Sequence, residues 1–299
     1  MIYTSKDNWY SWSYGDLESF SRQPGNLEFK TSFGQFNKSP MSFKDELKLA
    51  AATTIDYYPG LHPSILLSGG LDSEIMLRAY LDIGIVPDIY IFRYENDYNI
   101  YDVSYAITIC SSLDIKYNLI DFNLQKFYED DAERLSEISQ IDRPNALPYC
   151  KFLETIDGLP IMGASDLSIV RTTEDYSTRG IWNVRCWEHD IGWSKFLRKI
   201  DKPGIAEWFK WSPGLVHSYL RLNWCRRLVT DHYIGKLGTN STKIIGYREA
   251  YPNLLDRTKK TGFENITVLS NEFEAFLKKK YNTLPYRQFT DKLITDFYE

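Results

Sequence analysis

The stretch "PSILLSGGLDSEIML", residues 63–77, decides how the chain is read. The apolar run ahead of the glycines predicts a buried strand, and Glu74, Ile75, Met76, Leu77, Arg78 and Ala79 predict a helix. Between them Gly69 and Gly70 let the backbone turn tightly. A strand, a glycine-rich turn and a helix N-terminus leave free N–H groups at the positive end of a macrodipole, and together they form an anion site. Asp72 puts a carboxylate in its centre, a charge of the wrong sign for a bare anion.

Outward from this stretch, strands and helices alternate. SFKDELKLAAATTIDYY predicts a helix with Ser42 as its N-cap and Glu46 in the first turns. Strands are expected at SILLS, DIYIFRY, KYNLIDF and GLPIMGASD, with helices near residues 72–82, 102–113 and 124–139. Alternating units of this length predict an α/β fold, a parallel sheet covered by helices on both faces. In such sheets ligands sit at the carboxyl ends of strands, where both glycine turns fall, at residues 68–73 and 163–166. Residues 1–41 read as an irregular or short-stranded lead-in and 42–170 as the α/β core. Beyond that the strand signal fades, and residues 171–299 read as a mostly helical lobe that completes the active site.

The bulk numbers narrow the function class. A chain of 299 residues is long enough for a large core. A formal net charge of −5 disfavours a protein devoted to gripping nucleic acid. The 22 Tyr, 16 Phe and 8 Trp are read as core filling rather than base-stacking surfaces, and the Trp-rich stretch 182–224 as core packing of the helical lobe, with a substrate-pocket lining as its alternative. Lys278, Lys279 and Lys280 belong to a solvated helix face. Cys110, Cys150, Cys186 and Cys225 form no C-x-x-C pair, so no zinc ribbon or iron–sulfur site is expected. His62, His189, His217 and His232 lack metal-ligand spacing and are read as structural or surface residues. With no signal segment at MIYTSKDNWYSW and no apolar run near ~18 residues, a reduced, cytoplasmic protein without membrane association is expected.

The loop is not a Walker A motif, because no G-x-x-x-x-G-K-[ST] occurs. S-G-G-x-D-S after a strand resembles the PP-loop of the ATP pyrophosphatase superfamily, with its adenine nucleotide alpha hydrolase-like fold. Members of that superfamily cut ATP between the α and β phosphates. The resemblance implies ATP, with Mg²⁺ as the cation its phosphates bring, and Asp72 as one carboxylate ligand to that metal. Ser68, Gly69, Gly70, Leu71 and Ser73 would hold the pyrophosphate.

Four stretches carry a resemblance to the asparagine synthetase and β-lactam synthetase branch over about residues 45–270. They are FKDELKLAAATTIDYYPGLHPSILLSGGLDS, NIYDVSYAITICSSLDIKYNLIDF, IDRPNALPYCKFLETIDGLPIMGASD and YREAYPNLLDRTKKTGFENI. The first and last are the more specific. By this resemblance Asp72 and Asp166 share the Mg²⁺, and Leu66, Phe92, Met162 and Gly163 border the adenosine. Lys259 stabilises charge on the α-phosphate and the leaving pyrophosphate, with its neighbour Lys260 as rival. The implied activity is ATP-dependent carbon–nitrogen ligation: a carboxylate becomes an acyl-adenylate, and ammonia or an amine displaces AMP.

Two departures stand out. The chain starts Met1, Ile2, Tyr3, without the N-terminal cysteine of the family's glutamine-hydrolysing half. Nitrogen is therefore expected from free ammonia, another amine or a separate glutamine amidotransferase. Gly163 and Ala164 stand where an acidic or tyrosyl residue is expected before the turn's Asp166, which points away from the family's usual proton shuttle and substrate. Glu174 and Glu188 are the nearby carboxylates available as bases. Two other classes remain open. One is a tRNA- or nucleobase-modifying enzyme that adenylates a carbonyl oxygen, and the other is a non-catalytic ATP-binding partner protein.

Overall fold

The computed structural model of the chain describes residues 2–3, 9–14, 28–141, 143–163, 167–171, 182–230, 239–257, 267–281 and 289–297. Three antiparallel strands come first: β1 (Ile2–Tyr3), β2 (Tyr10–Tyr14) and β3 (Phe29–Phe33), in the order β1-β2-β3. Helix α1 (Phe43–Tyr57) follows, and the Ser42 side chain accepts from the Asp45 amide as its N-cap. The central layer is β4 (Pro63–Leu66), α2 (Leu71–Asp82), β5 (Asp88–Tyr94), α3 (Ile100–Ser112) and β6 (Asn118–Phe122). It continues through α4 (Leu124–Asp130), α5 (Ala132–Ser139), α6 (Pro148–Thr155) and β7 (Leu159–Ile161).

The remainder is β8 (Ser168–Arg171), β9 (Trp182–Trp187), α7 (Gly192–Lys199), α8 (Pro213–Leu220) and α9 (Asn223–Thr230). Helices α10 (Thr239–Ala250) and α11 (Thr267–Tyr281) and strand β10 (Phe289–Leu293) complete it.

The central sheet is parallel, in the order β6-β5-β4-β7. Ile65 on β4 faces Ile89 on β5 and Ile161 on β7, all fully or almost fully buried. Such strands need helices on both faces, which accounts for the near-continuous apolar runs in sequence. From β4 the sheet grows through β5 to β6 on one side, while β7 is added on the other. The connections leaving β4 and entering β7 therefore diverge, and a crevice opens at the carboxyl ends of these two strands.

Two features differ from the sequence reading. The expected helix over 124–139 is broken at Asp131, whose φ of −115° ends α4 and begins α5. Its carboxylate is drawn to Lys151 and Arg134, each at 3.1 Å. Within the segment 1–41, read as irregular or short-stranded, the described residues form short strands, and β2 buries Tyr10, Trp12 and Tyr14 completely or nearly so. The stretch after 170 holds a second antiparallel sheet, β10-β9-β8, in which Phe289 pairs with Trp187. Pairing across so many intervening residues leaves no local pattern to detect.

One apolar core runs from Trp9 through Ile65, Trp208 and Tyr247 to Phe297, so residues from all three expected segments are packed together. Among the described residues no helix is long and apolar enough to cross a membrane. The four cysteines are buried free thiols. Burial pushes the Cys110 thiol up to about 11 and raises those of Cys150, Cys186 and Cys225 as well. Thiolate is the reactive form, so a thiol-exchange reagent at neutral pH should label the native chain about a hundredfold or more slower than the denatured chain. Four equivalents should appear on denaturation. Rapid native labelling would show that one of these thiols is reachable.

Candidate active site

The crevice between β4 and β7 is a cavity of ≈ 290 Å³. Ser68, Gly70, Asp72 and Ser73 form its loop side, and Leu66, Phe92, Met162 and Gly163 form its apolar side. These are the positions the sequence assigned to pyrophosphate and adenosine, and the fold brings them to one wall-to-wall site. Phe92 is stacked on Phe122 with centroids 4.9 Å apart, which presents a flat aromatic surface. Gly69 and Leu71 belong to the loop but do not line the cavity. Leu71 is buried in the core, and Gly69 is turned away against helix α3.

Gly69 has φ +74°, and a Cβ there would run into the Asp102 carbonyl oxygen. No L side chain fits that position, for both conformational and steric reasons. Gly70 is the N-cap of α2 and supplies no side chain, so the first-turn N–H groups stay open to an incoming anion. The loop's hydroxyls are ordered among themselves: Ser68 Oγ lies 3.2 Å from Ser73 Oγ, and Ser73 donates to the Gly70 carbonyl at 3.1 Å.

The other side of the loop is held by α10 and the segment after it. Lys243 Nζ donates to Asp72 Oδ2 at 3.0 Å, and the Tyr247 hydroxyl donates to Oδ1 at 2.6 Å. The two stand at i and i+4, one turn apart on one helix face. The Tyr247 ring is stacked between Phe43 and Phe209, 6.0 and 6.1 Å away, so its hydroxyl has a set direction. Arg257 donates to the Gly69 carbonyl at 2.6 Å and pairs with Glu74. Glu74 also takes Arg78 at 2.6 Å, so a buried carboxylate is matched by two guanidiniums.

The sequence reading missed Lys243, Tyr247 and the loop contact of Arg257. The i, i+4 spacing in KIIGY was the available signal, but nothing local says which carboxylate it meets. The far wall carries further residues that were not foreseen: Arg143, Asn145, Tyr149, Asp190 and Trp193. Trp193 donates to the Ala146 carbonyl at 3.0 Å and packs edge-on to Tyr149. Burial, and then the nearby Asp102 charge, push the Tyr149 hydroxyl up to about 12.

Lys259, Lys260, Asp166 and Glu174 lie outside the described residues. Glu188 is 1% exposed, accepts from the Tyr14 hydroxyl at 2.8 Å and is not among the cavity-lining residues. Trp193 is the member of the Trp-rich stretch that lines the cavity, while Trp208 and Trp211 are core residues. His217 is likewise structural, its Nδ1 2.7 Å from the Phe297 carbonyl oxygen.

The donor set bears on the expected metal. A Mg²⁺ site asks for one or two carboxylates beside phosphate oxygens. Among the described residues the loop offers Asp72 alone, and both of its oxygens already accept from Lys243 and Tyr247. No cluster of three potential ligands occurs among the described residues. As arranged, this carboxylate is the counter-ion of a lysine, and a divalent ion would fit it only with that lysine re-paired and with phosphate oxygens as further ligands.

No family model matches the chain, and no curated protein does either. Among solved structures, the NMN synthetase of Francisella tularensis is 15% identical over 73% of this chain and 97% of its own, at a TM-score of 0.35. An NH3-dependent NAD synthetase of Campylobacter jejuni is 12% identical, covering 80% and 92%, at 0.32. A glutamine-dependent NAD+ synthetase of Acinetobacter baumannii is 12% identical over 84% of this chain and 51% of its own, at 0.34. At this identity and TM-score the likeness carries no conclusion, and the site stands on its own geometry.

The loop geometry gives a direct test of anion binding. Gly69→Ala should cost about 1–2 kcal/mol of stability through the positive φ, measured by urea denaturation. Affinity for inorganic pyrophosphate, measured by calorimetry, should fall by about tenfold or more because the amides no longer converge. Unchanged pyrophosphate affinity in a variant so strained would mean that the loop is not the anion site.

Proposed function

We propose that the chain is an ATP-dependent carbon–nitrogen ligase of the PP-loop kind, with asparagine-synthetase-type chemistry. It rests on one observation: the glycine loop and the apolar wall meet at the switch point of a parallel sheet, with Lys243 and Arg257 from the C-terminal part bonded to the loop and the helix it starts. ATP lies with adenosine against Leu66, Phe92 and Met162, and its β and γ phosphates lie in the loop. A substrate carboxylate oxygen attacks the α-phosphorus, the α–β bridging bond breaks, and pyrophosphate leaves as one unit. Ammonia or an amine then attacks the acyl carbon, AMP departs, and the amine loses a proton. The chain contributes positioning and preorganised positive charge. The carboxylate and amine are small molecules entering from the Tyr149 and Trp193 side, and the nitrogen arrives free or from a separate amidotransferase. A cytoplasmic setting, where ATP is plentiful, accords with this chemistry.

Products distinguish this reading from other nucleotide chemistry. With carboxylate and amine pools supplied, AMP and pyrophosphate should form in equal amounts with the amide. ADP and phosphate as the stoichiometric products would sink the proposal. Salt-sensitive RNA binding with RNA-dependent AMP release would instead favour the base-modifying class.

Lys259 is the proposed stabiliser of charge on the α-phosphate and leaving pyrophosphate, and Arg257, two residues before it, contacts the Gly69 carbonyl. Loss of such a group falls on kcat rather than on ATP binding. Lys259→Ala should lower kcat by about 10²–10³ with near-normal ATP affinity, whereas Lys260→Ala stays close to the parent. Equal small effects from both would remove this role from the element.

A further inference from the structure

Lys243 and Asp72 form an ion pair at the loop, and what that pair does toward divalent metal rests on the chain being an ATP-dependent ligase. Asp72 is the sole acid in LSGGLDS, and its oxygens face an ammonium at 3.0 Å and a phenol at 2.6 Å. The pair is partly buried, with the Lys243 side chain 14% exposed and that of Asp72 29%. Its attraction is therefore screened less than that of a surface pair. The arrangement is built rather than accidental. Tyr247, locked between Phe43 and Phe209, docks α10 against the start of α2, and one turn earlier the helix delivers Lys243 to the same carboxylate. Gly163, on the β7 side, faces Asp72 across the crevice, since even a Cβ there would stand only in ordinary contact, 3.5 Å, with the Asp72 Cβ.

A divalent ion seeking Asp72 in the empty site must displace the ammonium or sit beside it. Either course is unfavourable: the first breaks a partly buried pair, and the second places like charges a few ångströms apart. Phosphate oxygens change the balance, because they offer the ammonium another partner and the cation further ligands. We propose that Lys243 is the resident counter-cation of Asp72, excluding divalent metal from the nucleotide-free loop, so that metal is accepted only together with nucleotide phosphates. Tyr247 keeps the carboxylate oriented while its cation is exchanged. Asp72 thus carries a cation in both states, and the two states differ in which one.

The test uses Mn²⁺ alone, titrated into the nucleotide-free full chain and followed by the free-ion electron paramagnetic resonance signal. Wild type and Asp72→Asn should bind Mn²⁺ equally weakly. Lys243→Gln should gain one site tighter by about tenfold or more, and adding Asp72→Asn to it should abolish the gain. Lys243→Arg and Tyr247→Phe keep a cation on the carboxylate and should resemble wild type. Circular dichroism checks that each variant is folded, and if Lys243→Gln is not, Lys243→Met takes its place. The proposal is overturned if wild type binds Mn²⁺ as tightly as Lys243→Gln in an Asp72-dependent way, or if removing the ammonium gains nothing. A parallel titration with a non-hydrolysable ATP analogue separates the two readings. If the analogue fails to bind while the Mn²⁺ series behaves as stated, the ligase reading falls and the counter-cation assignment stands.

Discussion

A buried carboxylate near the start of a helix has to be paired, and much of the site depends on how Glu74 is paired. Its side chain is 2% exposed, and an uncompensated charge there would cost several kcal/mol. Arg78, one turn on, supplies a local partner. The second partner, Arg257, comes from far along the chain and spends its other nitrogen on the Gly69 carbonyl. The pairing therefore does two things at once: it satisfies a charge, and it ties the C-terminal part of the chain to the backbone of the glycine loop.

The apolar core supplies the aim that these polar contacts need. Helix α1 packs against α2, α8 and α10, and Phe43 from its first turn forms one face of the Tyr247 stack. Phe209, just beyond the strand-like contact of Gly163 with Glu207, forms the other. Packing in the core is dense and directional, so a ring fixed on both faces holds its hydroxyl to one position. The hydrogen bond to Asp72 is thus the polar end of an aromatic stack.

A second set of buried charges holds the periphery. Lys195, almost wholly buried, meets the Tyr14 hydroxyl and lies 3.3 Å from the Gln140 side-chain oxygen, while Tyr14 donates to Glu188 at 2.8 Å. These contacts join β2, the end of α5 and the start of α7. A buried network of this sort adds little net stability, but it penalises any arrangement that leaves one member unmatched. It also accounts for Glu188: a carboxylate that looks available in sequence is a packing partner in the fold.

By itself the sequence determined the local physics of the loop. Paired glycines between an apolar run and a helix-forming run predict a strand, a tight turn and a helix with open first-turn amides, because backbone geometry and the helix N-terminus require only neighbouring residues. The alternation of strands and helices over the first half was legible for the same reason, and so was the core parallel sheet, whereas Leu66, Phe92 and Met162 came only from the family resemblance. The partners of Asp72 and Glu74, the second antiparallel sheet and the burial of Glu188 were decided only by tertiary structure. Each depends on a contact between residues far apart in the chain, and the residue types involved, lysine, tyrosine, arginine and glutamate, look the same in sequence whether they meet solvent or one another. A charge finds its partner through packing, and packing is a property of the assembled core.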